Sequence, residues 1–314
     1  LRGYLGQQLR SGHFPLWLPG LYTGLPLIAH GEAAAMNPLT WLVYAPLPYI
    51  YATNVSVALH TWLAGFGLAL FARRLGARGL GPVFGGVAFM LCGFLIEHVK
   101  HMNLHHASAW LPWLLLALDR LIERPNLGRA SALGAVAALQ VTAGHPQMVY
   151  ISLLALCALC VQRLLLPLAR RHRRRRQLVR IAAAATWAVA VAALLSTAYL
   201  WSSFELWQRS VRRIGAHVDP FVFATKFEFF PENALTMFWA HAFGDGSNAT
   251  YDPRHGMFWE SWLYLGLLPC LAASWLVVLS LWRLLAPTSA RRGRLALTCG
   301  LWLGVAALSF SLML

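Results

Sequence analysis

The sequence predicts an all-α, polytopic membrane protein, and three observations lead there. Of 314 residues, 58% are hydrophobic and 12% charged, half the share of about a quarter that soluble domains carry. The mean hydropathy is +0.55. The apolar residues fall in blocks long enough to cross a bilayer, which takes about 20 residues per helix. The same numbers exclude a disordered chain, a collagen-like chain and a small disulfide-stapled module. The net charge of +15 suggests nucleic acid at first sight, but the placement of the charge gives it another cause.

The first 38 residues are rich in Gly and Pro, as in Phe14-Pro15-Leu16-Trp17-Leu18-Pro19-Gly20. They read as an ordered surface loop with short helices, because Pro and Gly break longer elements. Leu39 to Pro48 is apolar but short and Pro-interrupted, which suits an interfacial or re-entrant piece. Spans are expected at about 54–72, 82–96, 108–122, 130–143, 147–166, 181–200, 262–283 and 295–313, about eight in all. The organisation is then an outer-face loop over 1–50, a bundle of about six spans over 51–200, a long outer loop over 201–261, and two further spans over 262–314. A start at Leu1 without Met, and a stop at Leu314 inside an apolar stretch, read as an internal piece of a longer protein.

Lys and Arg orient the spans. With residues 1–50 outside, the inner connections hold Arg73, Arg74 and Arg78, then Arg120, Arg124 and Arg129. They continue with the eight arginines from Arg163 to Arg180, then Arg283, Arg291, Arg292 and Arg294. These make 18 of the 26 basic residues, while nine of the 11 acidic residues fall outside. The run Arg170-Arg171-His172-Arg173-Arg174-Arg175-Arg176 is therefore read as an anchor between two spans, in preference to an anionic-lipid or nucleic-acid patch. No nucleic-acid partner is implied. Cys157 and Cys160 have CxxC spacing but lie among Ala and Leu without a second pair, so they read as small buried residues instead of a redox or zinc site.

Short basic inner loops leave chemistry to the outer face. Glu97-His98-Val99-Lys100-His101-Met102-Asn103-Leu104-His105-His106 packs four histidines into nine residues. If helical, His98, His101 and His105 share one face. That spacing, with Glu97 as a fourth ligand, would suit a metal; the competing reading is a polar helix cap contacting a phosphate or sugar. In Gly144-His145-Pro146-Gln147 the Gly and Pro make a turn, while His145 and Gln147 add donors and an acceptor at headgroup depth, so turn and site stand level. The 201–261 stretch carries Glu205, Asp219, Glu228, Glu232, Asp245, Asp252 and Glu260 among aromatics, a composition for sugar recognition or for an interfacial loop. Phe243-Gly244-Asp245-Gly246 lacks the ligand alternation of a calcium loop. Asn54-Val55-Ser56 and Asn248-Ala249-Thr250 match glycosylation acceptors by spacing alone.

These motifs occur in an order that resembles the bacterial YfhO family, whose members have the GT-C glycosyltransferase architecture. The matching pieces are Gly12-His13-Phe14-Pro15-Leu16-Trp17, Thr23-Gly24-Leu25-Pro26-Leu27, Asn37-Pro38, Leu59-His60, Arg74-Leu75-Gly76 and Ala109-Trp110-Leu111-Pro112-Trp113. Further on come Ala143-Gly144-His145-Pro146-Gln147, Glu205 with Ser210 and Arg212, Phe230-Pro231-Glu232-Asn233, and Trp259-Glu260-Ser261-Trp262. The resemblance implies a GT-C-type enzyme of the cell membrane. It would move a sugar from a polyprenyl-phosphate carrier to a cell-envelope polymer, a teichoic-acid-like or other surface glycan, on the outer face. It places the catalytic aspartate in the first outer loop, upstream of Leu1, so the catalytic residue is unknown here; Glu32 is the first acid available but is not taken as the base.

The substrate- and phosphate-binding candidates are His98, His101, His145, Gln147, Arg212, Arg213, Glu232 and Glu260, since inverting transfer needs cations and donors around the leaving phosphate. The partners expected are the bilayer, the lipid-linked sugar as donor substrate and a glycopolymer acceptor; a divalent metal is left open. A flippase or transporter of lipid-linked glycan and a non-catalytic assembly factor are the alternatives. Span centres nearly free of charge weigh against transport.

Overall fold

The computed structural model describes residues 1–21, 23–165, 175–210, 230–256, 258 and 262–285. Helix α1 (Arg2–Arg10) opens the chain, and two-residue strands β1 (Trp17–Leu18) and β2 (Leu25–Pro26) pair antiparallel with Trp17 opposite Pro26. A 3-10 turn follows over Gly31–Ala33. Leu5, Leu27, Ala33 and Ala35 form a small apolar core beneath these pieces. Helix α2 (Pro38–Tyr44) has Pro38 at its start and Asn37 as cap, whose side chain accepts the Leu39 N–H at 3.0 Å. A Pro at the first turn loses no helical hydrogen bond, and an Asn cap supplies an acceptor for an orphan N–H.

Helix α3 (Tyr49–Arg74) is the first of the long apolar helices. Its buried residues Ala52, Ser56, His60, Ala64 and Phe71 recur at helical spacing and include two polar groups. Trp62, Val55 and Phe66, by contrast, are exposed. Small and polar residues inward with large apolar ones outward is the pattern of a helix in lipid, where association rests on close backbone approach. Helices α4 (Gly81–Met90) and α5 (Gly93–Glu97) and a 3-10 turn (His98–Lys100) lead to α6 (Met102–Ala109), α7 (Leu111–Glu123), α8 (Leu127–Thr142) and α9 (Pro146–Cys160). Helix α10 (Arg175–Gln208) runs 34 residues, about 50 Å, longer than the ~30 Å hydrocarbon core. It packs along α8, where Gly134 meets the Ala188 carbonyl so closely that a Cβ would sit 2.5 Å from it.

The described chain is mostly helical, and four stretches are long and apolar enough to cross a membrane: Tyr49–Arg74, Gly81–Lys100, Pro146–Leu164 and Arg175–Gln208. The sequence leads one to expect about eight. Two of the others, α7 and α8, have 13 and 16 residues, short of the ~20 a span needs. Pro112 in the first turn of α7 starts a new helix instead of extending α6, Asn126 caps the start of α8, and Gly144 at φ +89° follows its end. Leu267–Leu279, within α11 (Leu267–Leu285), is a shorter apolar helix. The expected span at 295–313 and the basic residues Arg170, Arg171, Arg173 and Arg174 lie outside the described residues.

The contacts divide the chain into two compact units, Leu1–Gly86 with His98–Leu156 and Arg171–His217, and Val87–Glu97 with Cys157–Arg170 and Val218–Leu314. In the second, 3-10 helices at Pro231–Met237 and Pro253–His255 are joined by the Asn233 amide donating to the His255 carbonyl at 3.0 Å. The Phe243 and His255 rings stack at 3.9 Å, and Phe258 stacks on Trp262. Local partners hold the carboxylates of this stretch: Arg254 on Asp252 at 2.6 Å, and Ser247 N–H and Asn248 Nδ2 on Asp245 at 2.8 Å each. Glu232 lies 3.6 Å from His255.

In the first unit Asp119 and Glu123, both on α7, meet Arg74 of α3 at 2.6 and 2.8 Å, and Arg129 of α8 stands 3.6 Å from Glu123. Three helices are tied by the only two acids that the sequence places on its basic side. Asp119 is 3% exposed where it meets Arg74. Arg74→Ala is expected to cost roughly 2–3 kcal/mol, below the 3–5 of a fully buried pair because Arg74 keeps some water. Thermal unfolding of the detergent-solubilised protein measures this, and Asp119→Asn in the Arg74→Ala background should recover part of the loss.

Candidate functional site

Polar side chains gather in the first unit around the start of α3, the turn 98–101 and α6. The histidine segment is not one helix: His98 and Lys100 belong to a 3-10 turn, His101 caps α6, and His105 and His106 lie on α6. His98, His105 and His106 are buried. His101 instead lines a cavity of about 180 Å³ together with Arg2, Glu32, Tyr49, Lys100 and Asn103. The turn places His98 and His101 with ring centroids 5.7 Å apart.

Arg2 is the structural centre of this group. It is 4% exposed; its Nε donates to the Glu32 carbonyl at 2.9 Å and its Nη1 to His106 Nδ1 at 2.9 Å. Arginine has no acceptor, so His106 Nδ1 carries the lone pair and the ring proton sits on Nε2, 3.3 Å from Ser56 Oγ. His60 donates from Nδ1 to the Ser56 carbonyl at 2.8 Å, and its ring stacks on His106 at 3.6 Å, 8° from parallel. Each imidazole is thereby fixed in one tautomer. His105 reaches Thr61 Oγ1 at 3.1 Å through Nε2. Arg2 Nη2, His105 Nδ1 and His145 Nδ1 are buried and make no hydrogen bond among the described residues.

The turn Gly144-His145-Pro146 joins the same group, and glycine is the reason. Gly31 and Gly144 meet backbone to backbone: a Cβ on either would fall 2.1 Å from the other's carbonyl oxygen. Asn103 Nδ2 donates to the Gly144 carbonyl at 3.3 Å. The motif is therefore both a turn and a docking point, with His145 within electrostatic reach of His98 and His101. Gln147 is exposed on the first turn of α9. Glu232 belongs to the second unit, and Arg212, Arg213 and Glu260 lie outside the described residues.

Burial keeps this assembly largely uncharged on histidine. It pushes His105 down to about 4, with Arg2 and His98 adding to the effect. It pushes His106 well below the usual imidazole value, helped by His60, Arg2 and His105. His145 is lowered by burial and by His98 and His101. Burial also lowers Arg2, against the opposing influence of Tyr44 and Glu32. The cavity thus presents two cations, Arg2 and Lys100, one carboxylate, Glu32, and the polar groups of His101 and Asn103. Among the described residues no group of three or more His, Cys, Asp or Glu is placed to hold a metal ion.

The sequence does not reveal Arg2, His60 or His106 as site residues. A histidine inside the apolar run 54–72 is the one signal for His60, since ionisable groups in a span are costly. His106 sits one residue outside the three-four spacing, and nothing local marks Arg2. Because His105, His106 and His145 bind protons less readily folded than unfolded, stability is full above the unfolded value near 6.5 and is lost as pH falls from there towards about 4. The unfolding midpoint of the solubilised protein should drop by several degrees between pH 7.5 and 5, and His105→Gln should flatten that slope. Comparison with protein-family models, with curated proteins and with solved structures finds no match for the chain.

Proposed function

We propose that the chain is the membrane-embedded part of a glycosyltransferase of the cell membrane. It takes a sugar from a polyprenyl-phosphate carrier and passes it to a cell-envelope glycan on the outer face, in the manner that its resemblance to the YfhO family and the GT-C architecture implies. The observation that carries the reading is the cavity of Arg2, Lys100, His101, Asn103 and Glu32, on a scaffold of apolar helices. A buried guanidinium with a spare N–H beside a second cation is a place for an anion, and a carboxylate in the same cavity is a place for a proton.

In the proposed reaction the acceptor hydroxyl attacks the anomeric carbon. The bond from that carbon to the phosphate oxygen breaks, and its electron pair leaves on the phosphate. Arg2 and Lys100 hold the charge that develops there. The acceptor's proton passes to a carboxylate; Glu32 shares this cavity, and in this reading it takes the role that the resemblance gives to an aspartate upstream of Leu1. His106, neutral and with Nδ1 as acceptor, holds the guanidinium in place. Transport of a lipid-linked glycan is the second reading, favoured by the polar chain Arg2–His106–Ser56–His60 buried within the helices.

The test uses the full-length protein in proteoliposomes with labelled polyprenyl-phosphate sugar and an envelope acceptor. Glu32→Gln, which keeps the shape, should slow transfer by about 10²-fold or more, and Arg2→Lys by about 10²-fold because the fork geometry is lost. Wild-type transfer in both variants would remove the cavity from the chemistry. Movement of label across the bilayer without transfer would select the transport reading.

A further inference from the structure

A second cavity, of about 250 Å³, lies in the same unit between the β1–β2 hairpin and the C-terminal end of α10. Trp17, Ile28 and Leu206 give it apolar walls, and Ser202, Glu205 and Arg209 give it a polar side. The indole of Trp17 is held from behind: Gly24, at φ +117°, packs so close that a Cβ there would sit 2.3 Å from the ring. The strand pairing opposite Pro26 holds its backbone, and the Leu27 N–H donates to the Leu16 carbonyl at 2.9 Å. Yet Trp17 remains 51% exposed. Ser203 Oγ donates to the Ala29 carbonyl at 3.0 Å and ties the loop to α10. Glu205 and Arg209, one helical turn apart, pair at 2.8 Å with side chains 52% and 78% exposed.

We infer that this cavity is a saccharide subsite, separate from the anion cavity, which takes a single neutral pyranose unit. An aromatic ring fixed on one face and open on the other suits the C–H face of a sugar. A carboxylate and a guanidinium side by side accept from and donate to neighbouring hydroxyls at once. An acyl chain in the same place would strip water from Glu205 and Arg209 and return no hydrogen bonds. The volume holds one sugar unit and falls below the ~300 Å³ at which pockets for larger ligands begin. Its assignment as the acceptor side of transfer rests on the reaction proposed above; saccharide binding itself does not.

The experiment is saturation-transfer NMR on the full-length protein in nanodiscs, with maltotriose and triacetylchitotriose as probes. At least one should take up saturation through its ring C–H protons. Trp17→Ala and Arg209→Gln should each weaken binding by about tenfold. Arg209→Gln changes only an exposed side chain, so a loss there is not a folding defect. Lack of signal from both probes, or undiminished binding in Arg209→Gln, overturns the inference. So does quenching, by lipids brominated on the acyl chain, of the fluorescence that Trp17→Phe removes. If Glu32→Gln leaves transfer intact while Arg209→Gln loses trisaccharide binding, the subsite stands and the proposed reaction falls.

Discussion

A guanidinium taken out of water keeps its charge, and the surroundings must supply what water did. Arg2 meets that demand with the Glu32 carbonyl and the lone pair of His106, and those two hydrogen bonds pin three parts of the chain together. One fixes α1 against the loop that carries Glu32. The other reaches α6, whose His106 in turn holds Ser56 and stacks on His60 of α3. Because Arg2 can only donate, the order of donors and acceptors down this chain is forced. His106 protonated at Nδ1 would lose its bond to Arg2 and set two cations face to face. The cavity beside Arg2 inherits its character from this constraint, with Arg2 and Lys100 as its cationic side chains.

The long helices were legible in composition because lipid exposure demands apolar residues all round. Residues 54–72 and 181–200 fall inside α3 and α10. The interior helices α7 and α8 carry the same apolar signal for a different reason, burial against protein, with Leu114, Leu115, Leu116, Leu121 and Ile122 inward on α7. Hydropathy alone does not show which apolar helices cross; α7 and α8 fall short of the ~20 residues of a full span, with Pro112 and Asn126 at their starts. The candidate site was legible in part. Of the residues singled out by spacing, His98 and His101 stand 5.7 Å apart with His145 in electrostatic reach, while Arg2 and His60 join the group through contacts spanning up to 104 residues, a separation at which no local spacing rule operates.

Close backbone approach does the work in this scaffold that side-chain burial does in water. Gly86 against the Gly65 carbonyl, Gly134 against Ala188 and Gly31 against Gly144 each leave no room for a Cβ. In the first two, helices pack tightly where lipid offers no hydrophobic drive to associate. In the third the same device sets chemistry in place. Gly144 turns the chain between α8 and α9, and its carbonyl receives Asn103, so the segment bearing Glu32, the turn bearing His145 and the start of α6 share one corner. A methyl group at Gly31 or Gly144 would push the acid and the histidine apart without touching either side chain.

The segment from Pro26 to Glu32 forms a wall shared by both cavities. Ala29 and Ile28 line the one beside Trp17, and Glu32 lines the one beside Arg2. Ser203 fastens this wall to α10 at Ala29, and Arg2 fastens it to α1 at Glu32. A wall pinned at both ends keeps the two pockets at a fixed separation, as the proposed transfer would require, because bringing two bound reactants together in a set orientation supplies much of the rate.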